Sequence, residues 1–188
     1  GSEKNPQMDE AHLLLGKSRY YDQRFVPALE AFNYILYKYP KSDKIYDAKI
    51  WREKTNMRME NDAIAVKNLN ALLKEIKFKD QTFADANATL AQAFLNLEEK
   101  DSAVSKLKLA VEYTKQDEEK ARYHFILGQL YESLNKKDSA FAAFQSDSDG
   151  IGRKYSIAKV VYKVVVPAKP LTKDGEERHV VAYMSEDV

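Results

Sequence analysis

Apolar residues recur along this chain at spacings of three and four, and short polar stretches interrupt them at regular intervals. Leu90, Phe94 and Leu97, then Leu107, Ala110 and Val111, form two such runs, each set falling on one face of a helix. The pattern predicts eight helices, over about 9–21, 25–39, 43–60, 62–77, 81–98, 101–114, 117–134 and 138–147. Pro40 stops the second, and Asp101 and Asp138 stand where N-caps belong.

The pattern also repeats as a whole. Ala28, Ala65, Ala103 and Ala140 each precede a large apolar residue four places on, namely Phe32, Leu69, Leu107 and Phe144. The alanines are 37, 38 and 37 residues apart, and the string Lys-Asp-Ser-Ala occurs at both 100–103 and 137–140. Twelve places before three of the alanines stands a small residue preceded by leucine: Gly16, Ala91 and Gly128. Antiparallel helices approach closely only where the contacting side chains are small, so glycine and alanine are expected to face each other across each hairpin. In the second unit Ile50-Trp51 stands nearest to this landmark, which implies a longer first helix there. One hairpin cannot bury its apolar face alone, whereas four stacked in series share a core, with Phe32, Trp51, Phe94, Tyr131 and Phe144 as its main fillers.

The last forty residues depart from this scheme. Ser146 to Gly152 is a run of turn formers expected to cut the eighth helix short. Tyr155 to Val166 and His179 to Met184 are rich in Val, Ile and Tyr and read as the two strands of a hairpin. Pro167, Pro170, Asp174 and Gly175 lie in its loop, and the prolines favour a loop longer than a two-residue Asp-Gly turn. A lone hairpin is marginal in water, so the segment is a cap on the repeats, a foreign extension, or a mobile tail.

The landmarks resemble the tetratricopeptide repeat, whose pattern is Leu-Gly, Tyr three on, Ala twelve after the Gly, an aromatic four further on, and a closing Pro. The first unit matches at Leu15, Gly16, Ala28, Phe32 and Pro40 and departs at Arg19. The third matches through Leu90, Ala91, Phe94, Ala103, Leu107 and Ala110, and the fourth through Leu127, Gly128, Tyr131, Ala140 and Phe144. The resemblance implies an all-α, tetratricopeptide-type superhelix of four antiparallel helix pairs (about 9–42, 43–80, 81–116 and 117–147), with a C-terminal extended or β-hairpin segment over 148–188. Residues 1–8 read as a tag scar, Gly1-Ser2, and a linker. The strings Leu13 to Phe25, Pro27 to Pro40 and Lys49 to Asn56 further resemble the N-terminal repeats of the tetratricopeptide lipoproteins of gliding motility and type IX protein secretion in Bacteroidetes-type bacteria. That resemblance implies a non-catalytic adaptor on the periplasmic side of the outer membrane, held there by a lipid anchor outside this chain. A generic peptide-binding or chaperone-like repeat domain in the cytoplasm is the alternative.

Charge and composition narrow the partners. Lys and Arg total 30 against 29 acidic residues, a net charge of +1, which lacks the basic excess of a nucleic-acid-binding domain. There is no cysteine, so disulfides and thiolate chemistry are excluded. His12, His124 and His179 are too scattered for a metal cluster, and the equivalent places of His12 and His124 argue for packing. Asp147 to Gly150 has its glycine too early for a calcium loop, and Gly150-Ile151-Gly152 lacks the remainder of a phosphate cradle. Asn87-Ala88-Thr89 is a glycosylation sequon inside a predicted helix. No catalytic residue, metal or cofactor is implied. The expected partners are other protein subunits or extended peptides, not nucleic acid or a small-molecule substrate, and the chain is expected to be a monomer.

In the tetratricopeptide pattern, positions five, nine and twelve of each repeat line the concave face. These are Leu13, Lys17 and Tyr20; Ala48, Arg52 and Thr55; Ala88, Gln92 and Leu95; and Phe125, Gln129 and Glu132. Lys17, Tyr20 and Arg52 suit an acidic or extended peptide. The carboxylate clamp of chaperone-binding relatives needs a cation and an asparagine where Leu13 and Lys17 stand, so that mode is not expected.

Overall fold

The computed structural model describes residues 8–155, 160–167 and 179–185, with side chains over 8–146. Its helices are α1 (Met8–Tyr21), α2 (Phe25–Lys38), α3 (Ile45–Arg58), α4 (Asp62–Glu75), α5 (Gln81–Asn96), α6 (Lys100–Tyr113), α7 (Asp117–Ser133) and α8 (Lys137–Tyr155). Strands β1 (Val160–Pro167) and β2 (His179–Ser185) pair antiparallel, with Val164 opposite Ala182 and Pro167 opposite His179. Pro167 thus ends a strand instead of lying in the loop, a place where its missing N–H costs least. The segment carrying Asp174 and Gly175 lies outside the described residues.

The chain divides into two compact units, residues 1–115 and 116–188. Within the first, consecutive helices pack as antiparallel neighbours, and α3 also touches α1 and α5, so the odd-numbered helices form a row. Its core is modular. One cluster joins Leu13 of α1 to Ala28, Phe32 and Ile35 of α2 and to Ala48 of α3; the next joins Ile50 of α3 to Ala65, Leu69 and Leu72 of α4 and to Ala86, Leu90 and Ala93 of α5. The first two hairpins therefore each complete their burial with the first helix of the following one, which is the physical meaning of a stacked repeat. In the second unit, α7 and α8 form one further hairpin.

The four hairpin turns share one geometry. Gln23, Glu60, Glu98 and Asn135 adopt left-handed backbone at φ 57–62°. The residue after each donates its N–H five residues back, Arg24 to Arg19, Asn61 to Asn56, Glu99 to Phe94 and Lys136 to Tyr131, at 2.8 to 2.9 Å. The left-handed residues themselves donate three back, to Tyr20, Met57, Leu95 and Glu132. Together these bonds make a Schellman stop at every turn, built without glycine. The next carbonyl, of Arg24, Asn61, Glu99 or Lys136, then accepts from Ala28, Ala65, Ala103 or Ala140, opening the following helix at once. All four alanines are buried, at 0, 0, 0 and 6% exposure, each the fourth residue of its helix.

Several expectations need correction. Helices α6 and α8 begin one residue before Asp101 and Asp138, so these carboxylates lie in the first turn, where the helix dipole favours them, and not at the cap. Asp80 is a true cap, accepting from the N–H groups of Thr82 and Phe83. Helix α3 is no longer than α1, at 14 residues each. Helix α8 is not cut short after Gln145 but runs to Tyr155. Ser146 turns its hydroxyl onto the Ala142 carbonyl inside the helix, and the penalties of Asp, Ser and Gly there are each at most about 1 kcal/mol. Gly16 does not chiefly face Ala28: the nearest atoms to its would-be Cβ belong to the Phe32 ring, and those nearest Gly128 belong to Phe144.

Candidate functional site

The turn geometry fixes the register of the second repeat. Counting seven residues back from each left-handed residue gives Gly16, Glu53, Ala91 and Gly128, each also twelve before its alanine. The residue equivalent to glycine in the second repeat is therefore Glu53, not Trp51. Glu53 is 1% exposed and accepts from Arg52 Nε at 2.6 Å, Asn56 Nδ2 at 2.8 Å and Asn68 Nδ2 at 3.1 Å. A buried carboxylate needs such a set of donors to offset its lost hydration.

This register shift moves the site. Ala48 and Thr55 are fully buried, and Thr55 bonds the Trp51 carbonyl at 2.8 Å, so neither lines an open surface. Arg52 is turned onto Glu53 and its charge is spent there. In the corrected register, positions five, nine and twelve of the second repeat are Ile50, Lys54 and Met57. Position five is buried in both early repeats, as Leu13 at 4% and Ile50 at 2% exposure, because these side chains fill the clusters between hairpins. Leu13 is thus core and not groove. Of the remaining expected residues, Lys17, Tyr20, Ala88, Leu95 and Phe125 are half-buried, and Gln92, Gln129 and Glu132 are exposed.

Position nine gives a row of polar groups on α1, α3 and α5: Lys17, Lys54 and Gln92. Gln92 Nε2 donates to Asn96 Oδ1 at 2.9 Å, and Asn96 Nδ2 in turn donates to Asp62 at 2.6 Å. Gln129 holds the same place on α7, within the second unit. There Phe125 lies 5.9 Å from the Phe144 ring, so part of its surface goes to packing its own hairpin.

Around Trp51 the structure brings together residues the sequence pattern left apart. Lys17 Nζ and Lys54 Nζ lie over the indole, 5.1 and 4.4 Å from its centroid. Tyr20 and Tyr21 meet it edge-on at 5.4 and 5.8 Å, and Phe32 stacks against it at 6.5 Å. Arg58 lies over Tyr20 and Phe25, at 5.8 and 4.9 Å. Lys54, Trp51 and Arg58 were not among the expected binding residues; counting twelve back from Ala65 gives Glu53 and so would have set Lys54, the next residue, at position nine. Arg19, which replaces the usual tyrosine, donates to the Pro27 carbonyl at 2.9 Å and braces the first hairpin.

The histidines at equivalent places behave differently. His12 stacks on Tyr34 at 4.1 Å and donates from Nδ1 to the Met8 carbonyl at 2.7 Å. His124 is half-buried, and burial, with Lys120 adding to it, holds its pKa below the usual imidazole value. Asn87 of the sequon is fully buried and bonds the Phe83 carbonyl, which withholds it from any glycosylating enzyme.

Neither a protein-family model nor a curated protein sequence matches the chain. Solved structures do. The crystal structure of BtubC (BKLC) from P. vanneervenii superposes with a TM-score of 0.71 at 12% identity, covering 94% of this chain and 74% of its own. MamA from Desulfovibrio magneticus gives 0.62 at 18% identity, covering 79% and 78%. A tetratricopeptide repeat protein from Parabacteroides merdae gives 0.59 at 15% identity, with 81% of this chain covering 55% of that one. The fold is accordingly of the tetratricopeptide type.

Proposed function

We propose that the chain is a non-catalytic scaffold that binds another protein along the row of odd-numbered helices. One observation carries this reading: behind the row the core is closed by residues such as Leu13 and Ile50, while Lys17, Tyr20, Lys54, Gln92 and Leu95 stand on it at repeating intervals, partly or fully exposed. Side chains presented at a fixed period suit an extended segment better than a compact substrate. Within this reading, the strings over 13–40 and 49–56 support a role as an adaptor subunit of the gliding-motility and type IX secretion apparatus, on the periplasmic side of the outer membrane. A peptide-binding role in the cytoplasm is the second reading.

Affinity capture with the whole chain, from separated outer-membrane and cytosolic fractions of its own bacterium, tests both. A scaffold retains a stoichiometric partner, loses it in a Tyr20→Ala/Leu95→Ala variant, and keeps it in Tyr37→Ala, which alters an exposed ring on α2. The fraction that yields the partner separates the adaptor from the cytoplasmic reading. Equal recovery by both variants refutes the placement on the row.

A further inference from the structure

Lys17 and Arg58, on either side of the Trp51 cluster, are held in place without being neutralised. Residues 17–25 and 51–58 carry six cations, Lys17, Arg19, Arg24, Arg52, Lys54 and Arg58, against the carboxylates of Asp22 and Glu53, in a chain whose net charge is +1. Glu53 is buried and already occupied by Arg52, Asn56 and Asn68. Among the described residues, Lys17 and Arg58 make no ion pair with a carboxylate. They rest instead on aromatic rings, Lys17 on Trp51 and Arg58 on Tyr20 and Phe25. Such stacking orders a long side chain while leaving its charge unmatched, so less rotamer freedom is lost when an anion arrives.

The same rings argue against nucleic acid. A single strand binds by laying bases on open aromatic faces. Here ammonium groups lie over the indole and Phe32 stacks against it, while a guanidinium covers Tyr20 and Phe25. What the surface offers outward is positive charge on long stems braced against rings, from Lys17 of α1 to Arg58 of α3.

We propose that this surface takes an extended acidic segment of a partner protein, its side-chain carboxylates pairing with Lys17 and Arg58. The inference rests on the scaffold reading and gives the partner its chemistry. Trp51 is the sole tryptophan, so its fluorescence reports occupancy directly.

The test titrates a short poly-glutamate peptide into the whole chain, with polyglutamine of equal length and oligothymidylate alongside. Poly-glutamate is expected to give a saturable change that weakens steeply with added salt, and Lys17→Gln and Arg58→Gln are each expected to reduce affinity about threefold to tenfold. Oligothymidylate or polyglutamine binding as tightly as poly-glutamate overturns the proposal. So does an affinity indifferent to salt, which needs no variant, or unchanged binding by variants whose helix content is intact. Failure of poly-glutamate while the row still captures its protein partner removes the carboxylate assignment alone; failure of both removes the scaffold reading with it.

Discussion

Gly16→Ala adds one methyl group at the tightest approach in the first hairpin. Three atoms of the Phe32 ring lie less than 3.0 Å from the point where that methyl would sit, well inside an ordinary carbon–carbon contact. The ring has little room to retreat. Phe32 is 0% exposed and shares its cluster with Leu13, Ala28, Ile35 and Ala48. Overpacking of this kind costs about 1–3 kcal/mol, against which alanine returns about 1 kcal/mol of helix propensity. The net expectation is a loss of about 1 kcal/mol, or about 2–4 °C in Tm for a chain of this size.

The repeats supply their own control. Where the small residue is Gly16 or Gly128, the partner four past the alanine is phenylalanine; where it is Ala91, the partner is Leu107. Gly16→Ala combined with Phe32→Leu recreates the third repeat's pairing inside the first. Phe32→Leu alone should cost about 1–2 kcal/mol through the void it leaves. The double variant should then be more stable than the two losses added together, by about 1 kcal/mol. Urea unfolding followed by circular dichroism and by Trp51 fluorescence measures this, and coincident transitions establish that one cooperative event is observed. A Gly16→Ala chain as stable as the parent, or strictly additive losses in the double variant, would refute the notch as the packing device.

Three further outcomes are expected. Glu98→Gly should raise stability by about 0.5–1 kcal/mol in urea unfolding, because glycine adopts φ near 61° without the steric cost a side chain carries; a destabilised variant would contradict the left-handed turn. Glu53→Ala should lose about 2–3 kcal/mol, since it strands the donors of Arg52, Asn56 and Asn68, the figure kept below that of a fully buried pair because Arg52 is partly exposed; a neutral effect would show that the carboxylate is not the hub of that network. His124 is held neutral in the fold, so its contribution is intact above the unfolded pKa of about 6.5 and is lost as pH falls from there towards the lower folded value. His124→Gln should therefore flatten the acid limb of a stability–pH curve, and an unaltered limb would exclude His124 as its source.

What could be read from the residues alone was whatever the repeats share. The buried alanines and, except at the end of α8, the approximate helix boundaries follow from apolar spacing, and Gly16 and Gly128 announce a close approach even though the opposing group proved to be a ring. Glu53 was missed because a search for small residues passes over a charge, although twelve places before Ala65 leads straight to it. That one slip of register carried Ala48, Arg52 and Thr55 into the expected groove and left Lys54 out. The left-handed turns escaped for a similar reason: glycine marks such backbone, and Gln23, Glu60, Glu98 and Asn135 do not. The cation–aromatic assembly at Trp51 joins α1 to α3 across thirty-odd residues of sequence, so only the packing of those helices brings it into view.

The turns within hairpins leave no spare residue, because the position that completes one helix's stop is also the one whose carbonyl opens the next. Inserting or deleting a residue there would rotate the second helix by about 100° and turn its alanine away from the seam. The joints from α2 to α3, α4 to α5 and α6 to α7 have no such double duty and vary in length, spanning residues 39–44, 76–80 and 114–116. Drift in chain length, whether by evolution or by a protein engineer splicing modules, is therefore tolerated at the joints and excluded from the bends, which makes the hairpin the indivisible unit of exchange.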